Sequence, residues 1–321
     1  MKSILFILPY WGQFPNYFQL WLNSCKFNET INWLIVTDIN LSQRYSVPKN
    51  VKVEYMSFNS LQKKAKDKYS IAPLYPYDLC KYRVVYHELF EEFCIGYDFW
   101  GFCDCDLIWG NLRSFITDEV LNSYDKISWR GHMTLFKNID RVNQAYKNEF
   151  EGFKTFRGCI NNTEGINLFD EVGINKIFDK LGYSIYKKIP FADLKIRQFN
   201  FICLHNIFPE NTNINQIFHW SVEGGLERIY IDHGGIKREQ IAYVHFLKRP
   251  MKMCIKGTEN SFLIVPNKFI PDQELSINSV LCLSKDKIYW NYWISRLKWN
   301  FIKNKIKCLL TQQKYKPDIY N

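Results

Sequence analysis

Apolar positions in the first hundred residues alternate between two rhythms. Ser3–Leu8 (SILFIL) is an unbroken apolar run closed by Pro9, the pattern of a short buried strand. Phe14, Tyr17, Phe18, Trp21, Leu22 and Cys25 then recur at helical spacing. Ile31–Val36 (INWLIV) reads as a second buried strand, ended by Thr37 and Asp38, and Val51–Met56 as a third. Tyr82–Phe93 has the periodicity of an amphipathic helix, and Tyr97–Cys103 forms a fourth strand that runs into Asp104-Cys105-Asp106. Strands alternating with helices predict an α/β layer with a mostly parallel sheet.

The middle of the chain is less regular. Ile127–Lys137 accommodates one or two strands around Gly131, and Glu171–Gly182 predicts a helix stopped by Gly182. Gly224-Gly225 and Gly234-Gly235 punctuate a hairpin whose arms include Glu227–Asp232, and Ile241–Leu247 resembles another strand. No repeat or low-complexity segment is evident. The expected domain boundary lies near Met251–Asn260, giving a body of residues 1–255 and a C-terminal extension, 256–321.

Composition narrows the class. A chain of 321 residues with 47% hydrophobic and 17% aromatic positions can bury a large core. It offers no apolar run of about 20 residues, and its N-terminal apolar stretch is too short and lacks a small-residue cleavage site. The ten cysteines are scattered with no C-x-x-C, which fits reduced thiols better than a disulfide framework or zinc ribbon. The expected location is therefore the cytoplasm.

The net charge is +10, and much of the excess sits after Tyr289. Residues 290–310 (WNYWISRLKWNFIKNKIKCLL) interleave aromatic and aliphatic positions with lysines. Such a helix suits a peripheral contact with an anionic membrane surface; the competing reading is a helix docked on its own domain with lysines facing water.

The candidate chemistry centres on Asp104 and Asp106. One D-x-D is expected by chance in a chain of this length, so placement carries the argument. Two acids beyond the carboxyl end of a buried strand can turn toward one divalent cation, and hard ions such as Mg²⁺ or Mn²⁺ take oxygen ligands shared with a diphosphate. Without a counter-charge the pair would be costly beside Phe99, Trp100, Phe102, Ile108 and Trp109. His245, ending a predicted strand, supplies a further ligand, and Lys248 and Arg249 follow closely enough to hold phosphate oxygens. Alternatively, His245 is a core residue beside a solvated basic pair.

Strand, Pro-aromatic loop, second strand ending Thr-Asp, then D-x-D closing the fourth strand resembles the nucleotide-sugar glycosyltransferases of the GT-A fold. FILPYWG (6–12), LCKYRVVY (79–86), GYDFWGFCDCDLIWGNL (96–112), GHMTLFKN (131–138), FDEVGINKIF (169–178) and YVHFLKRPM (243–251) resemble, more narrowly, bacterial glycosyltransferase-like proteins of capsule and O-antigen clusters. The resemblance covers about residues 1–255 and departs at Lys81, where an acidic residue is expected.

The resemblance implies a GT-A, Rossmann-like fold with a helical C-terminal extension. It also implies a UDP-sugar donor, a Mn²⁺ or Mg²⁺ cofactor, and a glycan or lipid-linked glycan acceptor. Pro9, Tyr10 and Trp11 would lie beside the uracil, and Thr37 and Asp38 beside the base or ribose. Arg83 would reach the diphosphate, with Lys248 and Arg249 neutralising it as it leaves. Asp106, Asp104 and His245 would bind the metal, with Asp104 also able to act through the ribose or a water. His132 would line the sugar or acceptor approach, or pack beside Trp129. An inverting transfer, the favoured reading, needs a base; Glu171 is preferred over Asp170, with Asp193 a weaker candidate. A retaining transfer needs none, and both acids also suit a helix cap.

Two alternatives remain open at this level. Paired carboxylates also serve nucleotidyltransferases and phosphotransferases. The basic, aromatic tail suits nucleic acid, yet no nucleic-acid motif is present and no such partner is expected.

Overall fold

The run that begins the chain is unbroken because both of its faces are covered. In β1 (Ile4–Pro9), Ile4, Phe6 and Leu8 pack into one apolar cluster, while Leu5 and Ile7 enter another on the opposite side. That is the signature of a strand sandwiched between layers. The computed structural model describes residues 1–162, 168–196, 198–205 and 207–287, with 299 and 302.

In chain order the next strands are β2 (Asn32–Thr37), β3 (Val51–Tyr55), β4 (Phe99–Cys103), β5 (Leu107–Trp109), β6 (Lys126–Arg130), β7 (Met133–Lys137) and β8 (Ile185–Tyr186). They continue as β9 (Phe191–Asp193), β10 (Gln216–Ser221), β11 (Gly225–Asp232), β12 (Gly235–Gln240) and β13 (Tyr243–His245). The last are β14 (Lys252–Met253), β15 (Ser261–Val265) and β16 (Lys268–Pro271). The longer helices are α1 (Phe18–Phe27), α2 (Phe58–Tyr69), α3 (Ile174–Leu181) and α4 (Ile277–Leu283).

The main sheet has seven strands in the order β3-β2-β1-β4-β7-β6-β8. The pairs β3–β2, β2–β1 and β1–β4 are parallel, so the carboxyl ends of β1, β2 and β4 lie along one edge. Helix α1 covers one face through Phe18, Trp21 and Leu22, and α2 covers the other through Leu61 and Ala65.

The mostly parallel sheet expected from sequence is corrected to a mixed α/β arrangement. β7 runs antiparallel to both β4 and β6, because a two-residue connection at Gly131-His132 can make only a hairpin. A six-stranded sheet, β12-β11-β10-β15-β16-β14, is antiparallel except at its β14–β16 edge. The hairpin expected at the glycine pairs is thus a three-stranded meander with two turns, and the expected boundary at residue 255 runs through this sheet. Helix α4 follows, with Val280 in the cluster of Ile217, Ile229, Leu263 and Val265. Of the helix expected over 290–310, only Trp299 and Ile302 are described, both helical and exposed; the rest lies outside the described residues, as do 163–167. No helix among the described residues is long and apolar enough to cross a membrane.

One helix expectation is also corrected. Residues 82–93 are not one amphipathic helix but the end of a 3₁₀ stretch, Pro76–Val85, followed by single turns at Tyr86–Leu89 and Glu91–Cys94. With three residues per turn, Leu79, Tyr82 and Val85 stack on one side and are all buried. Described cysteines are free thiols, six of them buried: Cys25, Cys94, Cys103, Cys105, Cys159 and Cys203.

Gly101 fixes the distance between β4 and β7. A Cβ there would lie 2.0 Å from the carbonyl oxygen of Thr134 and 2.9 Å from Cα of Leu135. Backbone cannot yield as a side chain can, so Gly101→Ala should lower the unfolding free energy by about 3 kcal/mol or more, measured by urea denaturation.

Candidate metal centre

β4 ends at Cys103, and the chain then turns so that Asp104 and Asp106 lie beyond the sheet's carboxyl edge. Their partner arrives through a small sheet, β5-β13-β9. β13 pairs antiparallel with β5, setting His245 opposite Leu107, the residue after Asp106. It pairs parallel with β9, setting His245 beside Asp193. The register of two short strand pairs therefore brings residues 106, 193 and 245 together.

His245 Nε2 lies 3.3 Å from Asp106 Oδ1 and 3.7 Å from Asp104 Oδ2. Its Nδ1 lies 2.8 Å from Asp193 Oδ1. With Nδ1–H donated to Asp193, Nε2 presents its lone pair to the two acids, the carboxylate–histidine pairing that orients metal ligands. Asp104, Asp106 and His245 each offer an atom within 4.8 Å of the others. Around an ion with ligands at about 2.1 Å, donors sit about 3 Å apart when adjacent and about 4 Å when opposite. Two carboxylate oxygens and one imidazole nitrogen fit a small divalent cation; Mn²⁺ and Mg²⁺ are the proposed occupants.

The electrostatics fit the same picture. Burial pushes the Asp104 carboxyl above its ordinary value, against the pull of Arg83. Burial also acts on Asp106, but His245 and the Lys248 backbone N–H outweigh it and hold that carboxyl below its ordinary value. Burial alone would make His245 less basic, yet Asp106 and Asp193 raise its pKa to about 10. Without an ion, the imidazolium and Arg83 serve as the counter-charges.

Local backbone conformations aim the remaining groups. Leu247 and Lys248 both have positive φ, 49° and 58°, and this left-handed pair directs the Lys248 N–H to Asp106 Oδ2 at 2.7 Å. β6 carries a bulge between Ile127 and Arg130, with Ser128 at φ 69°, just before Arg130 and Gly131. Phe169–Gly173 forms a π turn in which Val172 N and Gly173 N both reach Leu168 O. Gly173 permits it, since a Cβ there would lie 2.3 Å from the Phe169 ring.

The turn presents the acids 170 and 171 differently. Buried Asp170 accepts from Arg83 Nη1 at 2.9 Å, and Arg83 Nη2 reaches Asp104 in a short contact. Burial raises the Asp170 carboxyl in spite of Arg83. Held this way, Asp170 is corrected from a candidate base to the anchor of Arg83. Glu171 accepts the Gly131 N–H at 2.8 Å and pairs with Arg130 at 3.3 Å, while keeping part of its side chain exposed.

Other candidates separate into those near the centre and those turned from it. Tyr10 follows β1, stacks on Phe14 at 4.4 Å, and has its phenol raised by burial and by nearby Cys105 and Asp106. Pro9 is the buried last residue of β1; Thr37 is buried at the end of β2, with Asp38 exposed beside it. Trp11 is corrected to a packing residue: it lies against Phe58 and donates Nε1–H to Met56 O at 2.9 Å. Arg249 is also corrected. Its guanidinium is buried and donates to Asn267 Oδ1 at 2.8 Å and to the carbonyls of Lys195 and Gln198, so it fastens loops instead of facing the acids. Exposed Lys248 lies with Nζ 4.2 Å from the Tyr77 ring centre. Lys81, the departure noted in the sequence, pairs with Asp78 at 2.8 Å.

His132 is buried against Phe191, Tyr243 and His245. Asp193 is buried between His245 and His205, which corrects it from a base to the residue that orients His245. The sequence gives Arg130 and His205 no role, and Gly131 only that of a break between strands. The nearest signal for Asp193 is Phe191-Ala192-Asp193, a short apolar run ending in an acid as β4 does.

Residues 6–273 match the family of unknown function DUF6625, and the chain belongs to that family. No curated protein matches the chain.

Two outcomes test the centre. Asp193→Asn should weaken Mn²⁺ binding by about 10–100-fold in calorimetry while the far-UV circular dichroism is retained. Since His245 titrates near pH 10 in the ion-free protein, ligation requires loss of its proton. Affinity should therefore rise by up to about tenfold per pH unit as pH increases toward 10, with about one proton released per ion in buffers of differing ionisation enthalpy.

Proposed function

We propose that this protein is a metal-dependent glycosyltransferase of the GT-A class that moves a sugar from a UDP-sugar to a glycan or lipid-linked glycan acceptor. The observation that carries the reading is the convergence of Asp104 and Asp106 with His245, which follows Asp106 by 139 positions in the sequence, beyond the carboxyl ends of parallel strands. Further support comes from the order β3-β2-β1-β4, which is that of a nucleotide-binding half-sheet, with ligands expected outside its carboxyl edge.

A cation at this centre would neutralise the charge that develops on the diphosphate as the sugar–phosphate bond breaks. Asp104, Asp106 and His245 would hold it, and Asp193 would keep the His245 lone pair aimed. Arg83, anchored by Asp170, would be freed from Asp104 to meet phosphate oxygens. Lys248 lies on the same loop as the ligand histidine and adds positive charge at the exposed side. Tyr10 and the Thr37-Asp38 end of β2 would bound the nucleoside. Glu171, partly exposed and held by the Gly131 N–H and Arg130, would take a proton from an acceptor hydroxyl in an inverting transfer.

The test is a screen of UDP-sugars with Mn²⁺, following release of UDP. Wild-type protein should hydrolyse or transfer at least one donor, and Asp106→Ala should reduce the rate by at least about 100-fold. Pyrophosphate or nucleoside monophosphate as the product, or no sugar nucleotide bound with any divalent ion, would reject the reading.

A further inference from the structure

His245 belongs to two groupings of metal-ligand atoms. One contains Asp104 and Asp106; the other contains His132 and Asp193, and all three of its members are buried. The second differs in chemistry. Around the single carboxylate of Asp193 stand three imidazoles: His245 Nδ1 at 2.8 Å from Oδ1, His205 Nε2 at 2.9 Å from Oδ2, and His132 Nε2 at 3.9 Å from Oδ2. The His132 and His245 rings lie 4.5 Å apart with their planes inclined by 30°.

His132 gives a second and independent sign. Neither of its ring nitrogens has a hydrogen-bond partner among the described residues, although the side chain is only 5% exposed. A buried imidazole with two unsatisfied nitrogens is costly unless something polar completes it. The rings of Phe191 and Tyr243 lie 5.2 and 5.4 Å from its own, and His245 and Asp193 adjoin it as well. A cation between His132, Asp193 and His245 would satisfy one nitrogen.

The two groupings call for different ions. Oxygen-rich sites suit Mg²⁺ and Mn²⁺, whereas imidazole-rich sites favour borderline ions such as Zn²⁺. They also compete. A neutral imidazole has one nitrogen carrying a proton and one carrying a lone pair. When Nδ1 is protonated and bonded to Asp193, Nε2 can ligate an ion beside Asp104 and Asp106. An ion at Nδ1 puts the proton on Nε2 and takes that ligand away from the acid pair.

We propose that His132, Asp193 and His245 form a second cation seat, of the zinc class, which excludes occupation of the Asp104–Asp106–His245 seat. Zinc bound there acts as a brake on the first seat by capturing the tautomer of the shared histidine. This inference concerns ion binding alone and stands apart from the sugar-nucleotide reading.

The test uses Zn²⁺ and Mn²⁺ with no sugar nucleotide. Mn²⁺ bound to the wild-type protein is followed by electron paramagnetic resonance while one equivalent of Zn²⁺ is added. Release of free Mn²⁺ is expected; retention of Mn²⁺ with zinc also bound overturns exclusion. In the Asp104→Asn/Asp106→Asn variant zinc should still bind, whereas Mn²⁺ affinity should fall at least tenfold. That arm separates simple displacement from one seat from exclusion between two, and loss of zinc in the variant overturns the proposal. His132→Phe, which keeps an aromatic ring in the packing, should weaken zinc at least tenfold and leave Mn²⁺ binding within about twofold. Unchanged zinc affinity there, or no zinc binding by the wild type, also overturns it. If the double variant fails to fold, His132→Phe supplies the same separation, since zinc that still releases Mn²⁺ from it at the wild-type concentration overturns the proposal.

Discussion

The hydrogen bond between His245 and Asp193 is the contact on which the centre turns. It sets which nitrogen of a buried imidazole faces Asp104 and Asp106, and it does so from a neighbouring strand, not from a loop. Strand register is a discrete variable: a slip of one residue would send both side chains to the opposite face. The three-stranded sheet β5-β13-β9 is small, yet it links the D-x-D turn to chain more than a hundred residues later. Phe246 N to Asp106 O at 2.9 Å and Leu194 N to His245 O at 3.0 Å extend the same ladders past their last paired residues.

Charge balance explains much of the surrounding design. Asp104, Asp106, Asp170, Glu171 and Asp193 form one contiguous acidic group, and each has a cationic or N–H partner. Arg83 bridges Asp104 and Asp170, which connects the D-x-D turn to the π turn. Gly131 sits where these elements meet: a Cβ would approach Asp170, Arg83 and Glu171 within 2.9 Å or less. A larger residue there would press on the side-chain ends of this charged network, separately from the hairpin turn. Lys126, buried behind it, donates to Ser128 O and Asn175 Oδ1, and burial lowers its pKa to about 7 in spite of Asp170 and Glu171.

The outer parts of the site are less enclosed. Tyr77 and Lys248 meet at the exposed side, and Val172 is exposed beside Glu171. The inner parts are closely packed: Tyr243 stacks on Phe191 and meets Trp109 and His132 edge-on, forming an aromatic cluster behind His245. A cation approaching from the Asp104 side would thus meet a partly hydrated carboxylate first and a dry imidazole second, an order that suits an ion giving up water stepwise.

The sequence by itself determined the parallel half of the main sheet. SILFIL, INWLIV and DFWGFC are apolar on both faces, and such runs have few alternatives to burial in a layered fold. It also pointed to Asp104, Asp106 and His245, because ionisable groups directly after buried strands stand out against their neighbours. It could not separate Asp170 from Glu171, since adjacent acids look alike until a π turn buries one and exposes the other. Nor could it tell that Arg249 faces away from the acids while Lys248 stays near them: that depends on two consecutive left-handed residues, whose conformation ordinary side chains do not announce. Tertiary structure alone decided the pairing of Asp193 with His245 and the antiparallel turn of β7. Both are contacts between distant segments, and periodicity within a segment carries no information about which other segment lies beside it.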